Sequence, residues 1–344
     1  MSRISVGTLF ALAALFAFAN AEEKSNAGGY KVADKFALGG NGGWDYLSLD
    51  PEAHRLYIAR SDRVMVVDLE TGKLAGEVKE TPGIHGVALD PKSKRGYTSN
   101  GGDGTVSVFD LNTLEVSKKI QVGKRPDAIL YDPESNRVFT MNAGDQTASA
   151  IDAKEEKVVG TVKLEGKPEF AVSDEKGHIF VNLEDRNEII QIDAAKLKVL
   201  NRWPLKPGEE PAGLAIDRAH NRLFATCHNE KMIVLDTESG KVVATPAIGK
   251  GTDACAFDAG TGMAFSSNGD GTLTIVKGDG KDKYEVADNV KTQAGARTMA
   301  LDPKTHKIYL ATAKPKPGER RQYEPDSFVV LVVAPADAKA APGK

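Results

Sequence analysis

The chain has 344 residues, 41% of them hydrophobic, 27% charged and 6% aromatic, with 34 glycines. That apolar share excludes a disordered chain, and that charge excludes a polytopic membrane protein. Lys+Arg 45 against Asp+Glu 48 leaves a net charge of −3, so no global basic field favours nucleic acid.

Residues 1–21 read as a signal peptide. Arg3 supplies a positive start, Ile4 to Phe18 is an apolar run broken only by small residues, and Ala19-Asn20-Ala21 fits the small-x-small cleavage pattern. The run is short for a membrane span, and Glu22-Glu23-Lys24 follows at once. No Cys follows the cleavage site, which argues against a lipoprotein. The mature protein is expected in the periplasm or secreted, with no membrane span after cleavage. Residues 22–29 are expected to form a flexible segment. Cys227 and Cys255 are too few for a disulfide scaffold, and spacing alone does not say whether they pair.

From Tyr46 onward one pattern recurs: apolar residues, Asp, turn residues, then an aromatic. The seven aspartates are Asp50, Asp90, Asp132, Asp174, Asp217, Asp258 and Asp302, separated by 40, 42, 42, 43, 41 and 44 residues. An aromatic follows seven positions later as Tyr57, Tyr97, Phe139, Phe224, Phe265 and Tyr309, and six positions later as Phe180. Each unit reads as four strands. In the second these are Gly86–Leu89, Arg95–Asn100, Thr105–Asp110 and Val116–Gln121, joined by segments with turn chemistry. Four strands per unit at this period predict an all-β, seven-bladed β-propeller with antiparallel blades.

The ends fit a closed ring. The seventh unit has a third strand at Phe328–Val333 and then runs into a low-complexity tail, expected to be disordered over 335–344. Ahead of the first unit, Tyr30-Lys-Val-Ala-Asp-Lys-Phe-Ala-Leu-Gly resembles the fourth-strand segment beginning at Leu114. Residues 31–38 are therefore expected to complete the last blade, making 30–334 a single propeller.

Tyr97-Thr-Ser-Asn, Phe139-Thr-Met-Asn and Phe265-Ser-Ser-Asn, with Asp103-Gly-Thr-Val and Asp270-Gly-Thr-Leu, resemble the YVTN-repeat β-propeller family over about residues 30–334. The resemblance implies an exported bacterial seven-bladed protein. It implies little about function, because such folds host binding proteins and enzymes alike. Units four, five and seven depart from it with Phe180-Val-Asn-Leu, Phe224-Ala-Thr-Cys and Tyr309-Leu-Ala-Thr.

The repeats supply an internal alignment. Five residues before each repeat Asp stand Asp45, His85, Asp127, Glu169, Ala212, Asp253 and Arg297, expected to circle one mouth of the central channel. Three before it stand Leu47, Val87, Ile129, Ala171, Leu214, Cys255 and Met299, a packing column. The loops between second and third strands share that mouth, as does the polar insertion Lys314 to Asp326 with its basic Lys314, Lys316, Arg320 and Arg321. Crowded carboxylates at Asp45, Asp127, Glu169 and Asp253 suit Ca²⁺ or Mg²⁺, with Asp127 and Glu169 as the least compensated pair. Arg297 lies between Asp253 and Asp45 around the circle, and His85 between Asp45 and Asp127, so a ring of paired charges fits as well. Trp44 is a candidate for stacking on a ligand and Cys227-His228 for a soft metal, though two ligands do not make a site. The Asp-Gly dipeptides read as hairpin turns rather than calcium loops.

Two readings of function follow. The first is an exported binding or scaffold propeller, expected as a monomer, presenting the charged mouth to a protein, a carbohydrate or a small polar ligand, with or without a divalent cation. The second is a metal-dependent, lactonase-like hydrolase or lyase with His85 as base. The chain contains no P-loop, dinucleotide fingerprint, zinc quartet or nucleophile elbow.

Overall fold

The structure, a computed structural model, describes residues 29–279, 282–316, 318 and 322–337. The expected signal peptide at 1–21, most of segment 22–29, Arg320, Arg321 and most of the tail lie outside the described residues. Among those described, 28 strands form seven four-stranded sheets, and one 3₁₀ turn, Glu184–Arg186, is the helical element. Every pairing within a blade is antiparallel, and the first strands of successive blades lie against one another around the axis. The protein is a seven-bladed β-propeller.

Strand boundaries follow the turn chemistry. Each unit's repeat Asp stands at the end of its inner strand (Asp174 one residue past it) and bends the chain by accepting backbone N–H groups: Asp50 Oδ1 takes those of Glu52 and Ala53, both at 3.0 Å. The aromatics that follow, Tyr57, Tyr97, Phe139, Phe180, Phe224, Phe265 and Tyr309, are all buried. The apolar clusters straddle neighbouring blades, as where Tyr57, Val64 and Val66 of blade one pack with Val87 and Phe109 of blade two. Outer strands face solvent, as in Val116–Gln121, where Ser117, Lys118 and Lys119 are exposed and discourage edge pairing.

The ring closes with the N-terminal strand. Tyr30–Ala37 pairs antiparallel with Val329–Pro335 and supplies the fourth strand of blade seven. Tyr30 pairs with Pro335, so the last strand runs one residue beyond the expected limit at 334. Tyr30 also packs edge to face on Phe265 of blade six, anchoring the closure in the core.

The family-like tetrapeptides have a structural task. Asn100 Nδ2 donates to Thr105 Oγ1 at 3.0 Å and Ser107 Oγ at 2.9 Å, tying second strand to third. Asn142 and Asn268 repeat this with Thr147 and Ser149, and with Thr272 and Thr274. In blade one the equivalent position holds Arg60, which is fully buried. Its guanidinium donates to the carbonyls of Gly40, Asn41, Gly42 and Gly43 and lies 3.8 Å over the Phe328 ring. This wraps the loop that joins blade seven to blade one around a single side chain. Positive φ at Gly39, Gly40 and Gly42 permits the wrapping.

Candidate functional site

The charged column reaches the channel mouth through a repeated backbone defect. In blades two to six the pairing of inner with second strand slips at that column: between Ile84 and Gly86, Pro126 and Ile129, Pro168 and Ala171, Pro211 and Leu214, and Thr252 and Ala254. A bulged residue leaves the ladder and its side chain is re-aimed. His85, Asp127, Glu169, Ala212 and Asp253 all sit in these bulges. The preceding blade then fixes the carbonyls of two of them, and that of Arg297 in the same column. Ser99 Oγ donates to the Asp127 carbonyl, Asn182 Nδ2 to that of Ala212 at 3.0 Å, and Ser267 Oγ to that of Arg297 at 2.5 Å.

The side chains form two linked groups. On one side His85 Nδ1 lies 2.6 Å from Asp45 Oδ2 and 3.7 Å from Asp127 Oδ1. One donor atom from each of these three residues falls within 4.8 Å of the others. The far edge of the imidazole rests on Gly101, where a Cβ would come within 2.8 Å of Cδ2 and 2.9 Å of Nε2. On the other side Arg297 Nε donates to Asp253 Oδ2 at 2.7 Å, and Lys167 bridges Glu169 at 3.3 Å and Glu184.

Electrostatics mark the first group. Burial opposes a charge on His85, but the hydrogen bond to Asp45 and the field of Asp127 outweigh it, and its pKa rises to about 9. Burial lifts Asp127 to about 7, opposed by His85 and reinforced by Asp45. Burial and the neighbouring Asp127 lift Glu169 to about 8, with Lys167 opposing. At neutral pH the imidazole therefore keeps its proton, and Asp127 and Glu169 resist carrying two full charges.

Two large rings obstruct the channel beneath this ring of charges. One residue past the charged column stand Gly86, Ala128, Gly213, Ala254 and Thr298, all small, but also Tyr46 and Phe170. The two large rings come from blades one and four and meet across the axis, centroids 4.9 Å apart at 77°. Tyr46 is 7% exposed, and burial followed by the fields of Asp127, Glu169, Asp253 and Asp45 pushes its phenol well above the usual range. Its hydroxyl bonds to no group among the described residues. The mouth is thus a bowl with a Tyr46–Phe170 floor. Sequence comparison missed the pair, although its signal was two large residues in a column of small ones.

Other expected site residues go elsewhere. Trp44 is 7% exposed and packs on Tyr323 and Phe328, at 4.6 and 5.5 Å between centroids, so its ring presents no free face to a ligand. Tyr323 belongs to the long insertion, whose ends pair through Pro315 and Tyr323 and make a cover over Trp44. His228 lies outside the bowl cluster, exposed, with Nδ1 3.5 Å from Glu210. Cys227 points into the core while His228 points out, so the two do not converge on a metal. Cys227 and Cys255 are both free and buried, and burial pushes the Cys227 thiol to about 12. Asp127 and Glu169 do not stand as an isolated pair, because Lys167, two residues ahead in the same loop, takes Glu169. Asp103, Asp145 and Asp270 accept from Thr105, Thr147 and Thr272, so their loops are fastened turns. Among the described residues no helix is long and apolar enough to cross a membrane.

Comparison with known proteins bears on the fold. No protein-family model matches the chain, and no curated sequence does. Among solved structures it is similar to Kuenenia stuttgartiensis hydrazine synthase, with TM-score 0.71, 18% identity and coverage of 78% of this chain and 92% of that one. It is also similar to U3-55K (TM-score 0.75, 9% identity, 88% and 99% coverage) and to the WD40 repeats of RRP9 (TM-score 0.76, 8% identity, 88% and 98% coverage). At these identities the likeness is one of propeller architecture.

Proposed function

We propose that this protein is an exported, non-enzymatic binding propeller whose bowl receives a polar ligand carried by a protein or a carbohydrate, or free as a small molecule. The observation that carries the reading is the floor. Tyr46 and Phe170 meet across the axis and obstruct the channel, and charged side chains from six blades stand one position before this layer with carboxylates in excess. Among the described residues the nearest charged partner of Asp127 is His85, at 3.7 Å, and the buried Oε2 of Glu169 meets only the Lys167 ammonium, at 3.3 Å. Desolvated acceptors of this kind favour a ligand that brings cationic or donor groups. WD40 propellers among the similar structures support a recognition role by analogy of fold alone. Export is supported by residues 1–21, and the YVTN-like repeats are in keeping with it.

The lactonase-like reading needs His85 as a base. Asp45 and Asp127 hold its proton up to about pH 9, which suits a charged hydrogen-bond donor and not a proton acceptor at neutral pH.

The test is direct binding. A lysine-rich peptide and a glucosamine oligomer are expected to bind the wild-type protein, and a polygalacturonate oligomer is not. Asp127→Asn with Glu169→Gln is expected to weaken binding by at least tenfold. Equal binding of acidic and basic probes, or a double variant that binds as well as wild type, would refute the reading.

A further inference from the structure

We infer that Asp45, His85 and Asp127 form a site for one first-row transition-metal dication, such as Zn²⁺ or Mn²⁺, on the floor side of the bowl. The inference rests on the bowl being a ligand site, as proposed above, and identifies the first ligand it takes. Three blades each deliver one donor: Asp45 from the lead-in to blade one, His85 from the bulge of blade two, Asp127 from that of blade three. Their donor atoms already lie within 4.8 Å of one another, with 2.6 and 3.7 Å between the imidazole and the two carboxylates. Donors around an ion with bonds of about 2.1 Å stand ~3–4 Å apart, so binding needs side-chain adjustments of about 1 Å and no backbone movement.

The donor set chooses the metal. Two carboxylates balance a dication, and the imidazole becomes a ligand by releasing to solvent the proton it shares with Asp45 as the ion binds; an imidazole favours Zn²⁺, Mn²⁺ or Co²⁺ over Ca²⁺ and Mg²⁺, which prefer oxygen alone. The proposed set differs in ion and in ligands from the Ca²⁺ or Mg²⁺ expectation at Asp127 and Glu169. Nδ1 already faces both carboxylates while Gly101 backs the opposite edge of the ring, so the metal-facing nitrogen is preset.

A second observation points to the same place. Tyr46 is more than nine-tenths buried beside the same carboxylates, and its hydroxyl, which no group among the described residues bonds, keeps contact with the solvent of the bowl. Such a group suits an ion's water or a ligand bound to the ion. Three protein ligands leave coordination positions open toward the bowl, where an incoming polar ligand can bind the metal directly.

The experiment uses untagged, chelator-stripped protein and metal ions alone. Calorimetry is expected to show one Zn²⁺ or Co²⁺ per chain, at least 100-fold tighter than Ca²⁺. His85→Ala and Asp127→Asn are each expected to weaken the ion at least tenfold, and Glu169→Gln less than threefold. In case His85→Ala does not fold, wild-type protein carrying Co²⁺ is read by NMR, where paramagnetically shifted His85 ring signals are expected. No stoichiometric ion, a preference for Ca²⁺, unchanged affinity in Asp127→Asn, or unshifted His85 signals would each overturn the site. Because no organic probe is present, that failure is separable from failure of the binding reading, which peptide and glycan probes test in chelator.

Discussion

Tyr46 and Phe170 touch edge to face across the propeller axis, joining the first blade to the fourth through 4.9 Å between ring centroids. The main strand contacts between blades join neighbours, so this pair is a strut across the ring as well as a floor. Replacing Tyr46 with Ala removes a buried aromatic and opens a cavity, expected to cost about 3–5 kcal/mol in urea unfolding. Tyr46→Phe keeps the strut and loses only an unpartnered hydroxyl, so stability is expected to change by less than about 1 kcal/mol. A Tyr46→Phe variant as unstable as Tyr46→Ala would show that the hydroxyl has a structural partner.

The same bowl makes stability depend on pH in a stated direction. His85, Asp127 and Glu169 all have folded pKa values above their ordinary ones, at about 9, 7 and 8. A raised pKa means that the folded state binds the proton more tightly. For the carboxylates that contribution is complete below about pH 4 and is lost as pH rises through 7 to 8. For His85 it is complete below about pH 6.5 and lost through 9. In the presence of chelator, unfolding free energy is expected to fall from pH 6 to pH 9.5. Asp127→Asn is expected to flatten the lower part of that decline, and Asp45→Asn to lower the His85 pKa measured by NMR. Stability that rises over this range would contradict the electrostatic description.

The fold was readable in the sequence because every blade solves the same local problems with the same residues. An Asp must hold each inner-strand turn, an aromatic must fill each gap between blades, and in blades two, three and six an Asn ties second strand to third. Repetition exposes all three. The charged ring was readable too, since its column recurs, and the pairings Asp45–His85 and Asp253–Arg297 join residues adjacent around that circle. What stayed hidden breaks the repeat or lies beside it. Lys167 stands off the column, two residues before Glu169. Trp44 was misassigned because its neighbours Asp45 and Gly43 are polar or small, while the residues that bury it, Tyr323 and Phe328, arrive from the far end of the chain. The bulges, which aim the ring, carry no marker except the proline before three of them, Pro126, Pro168 and Pro211.

Arg60 is the clearest case of one residue replacing a repeat solution. Burial, and secondarily the charge of Arg63, lower its pKa to about 10, so it still carries its charge at neutral pH while holding four loop carbonyls. Arg60→Ala leaves those carbonyls without a donor and is expected to cost about 3 kcal/mol. Arg60→Lys is expected to recover less than half of this, because a single ammonium does not span a fork of four acceptors. The loop should also become sensitive to proteolysis between Gly39 and Gly43 in both variants. Full stability of Arg60→Lys would mean that charge, not the planar fork, holds the junction.

The junction that Arg60 secures exists because the ring is closed by its own N-terminal strand. Without Tyr30–Ala37, the strand Val329–Pro335 would present an unpaired edge of Val-Val-Leu-Val-Val-Ala, an apolar β-rich segment without a single charge. A chain beginning at Leu38 is therefore expected to aggregate or to melt at least 10 °C lower than one beginning at Gly29, by light scattering and circular dichroism. Adding a synthetic peptide of residues 29–38 in excess should restore part of the difference, since it can pair with the exposed edge in the native register, Tyr30 to Pro335 and Ala37 to Val329. A peptide with Phe36 replaced by Asp should rescue less well, because Phe36 packs against Tyr309 of the same blade. Equal melting of the two chains would mean that three strands suffice for blade seven and that closure adds nothing to stability.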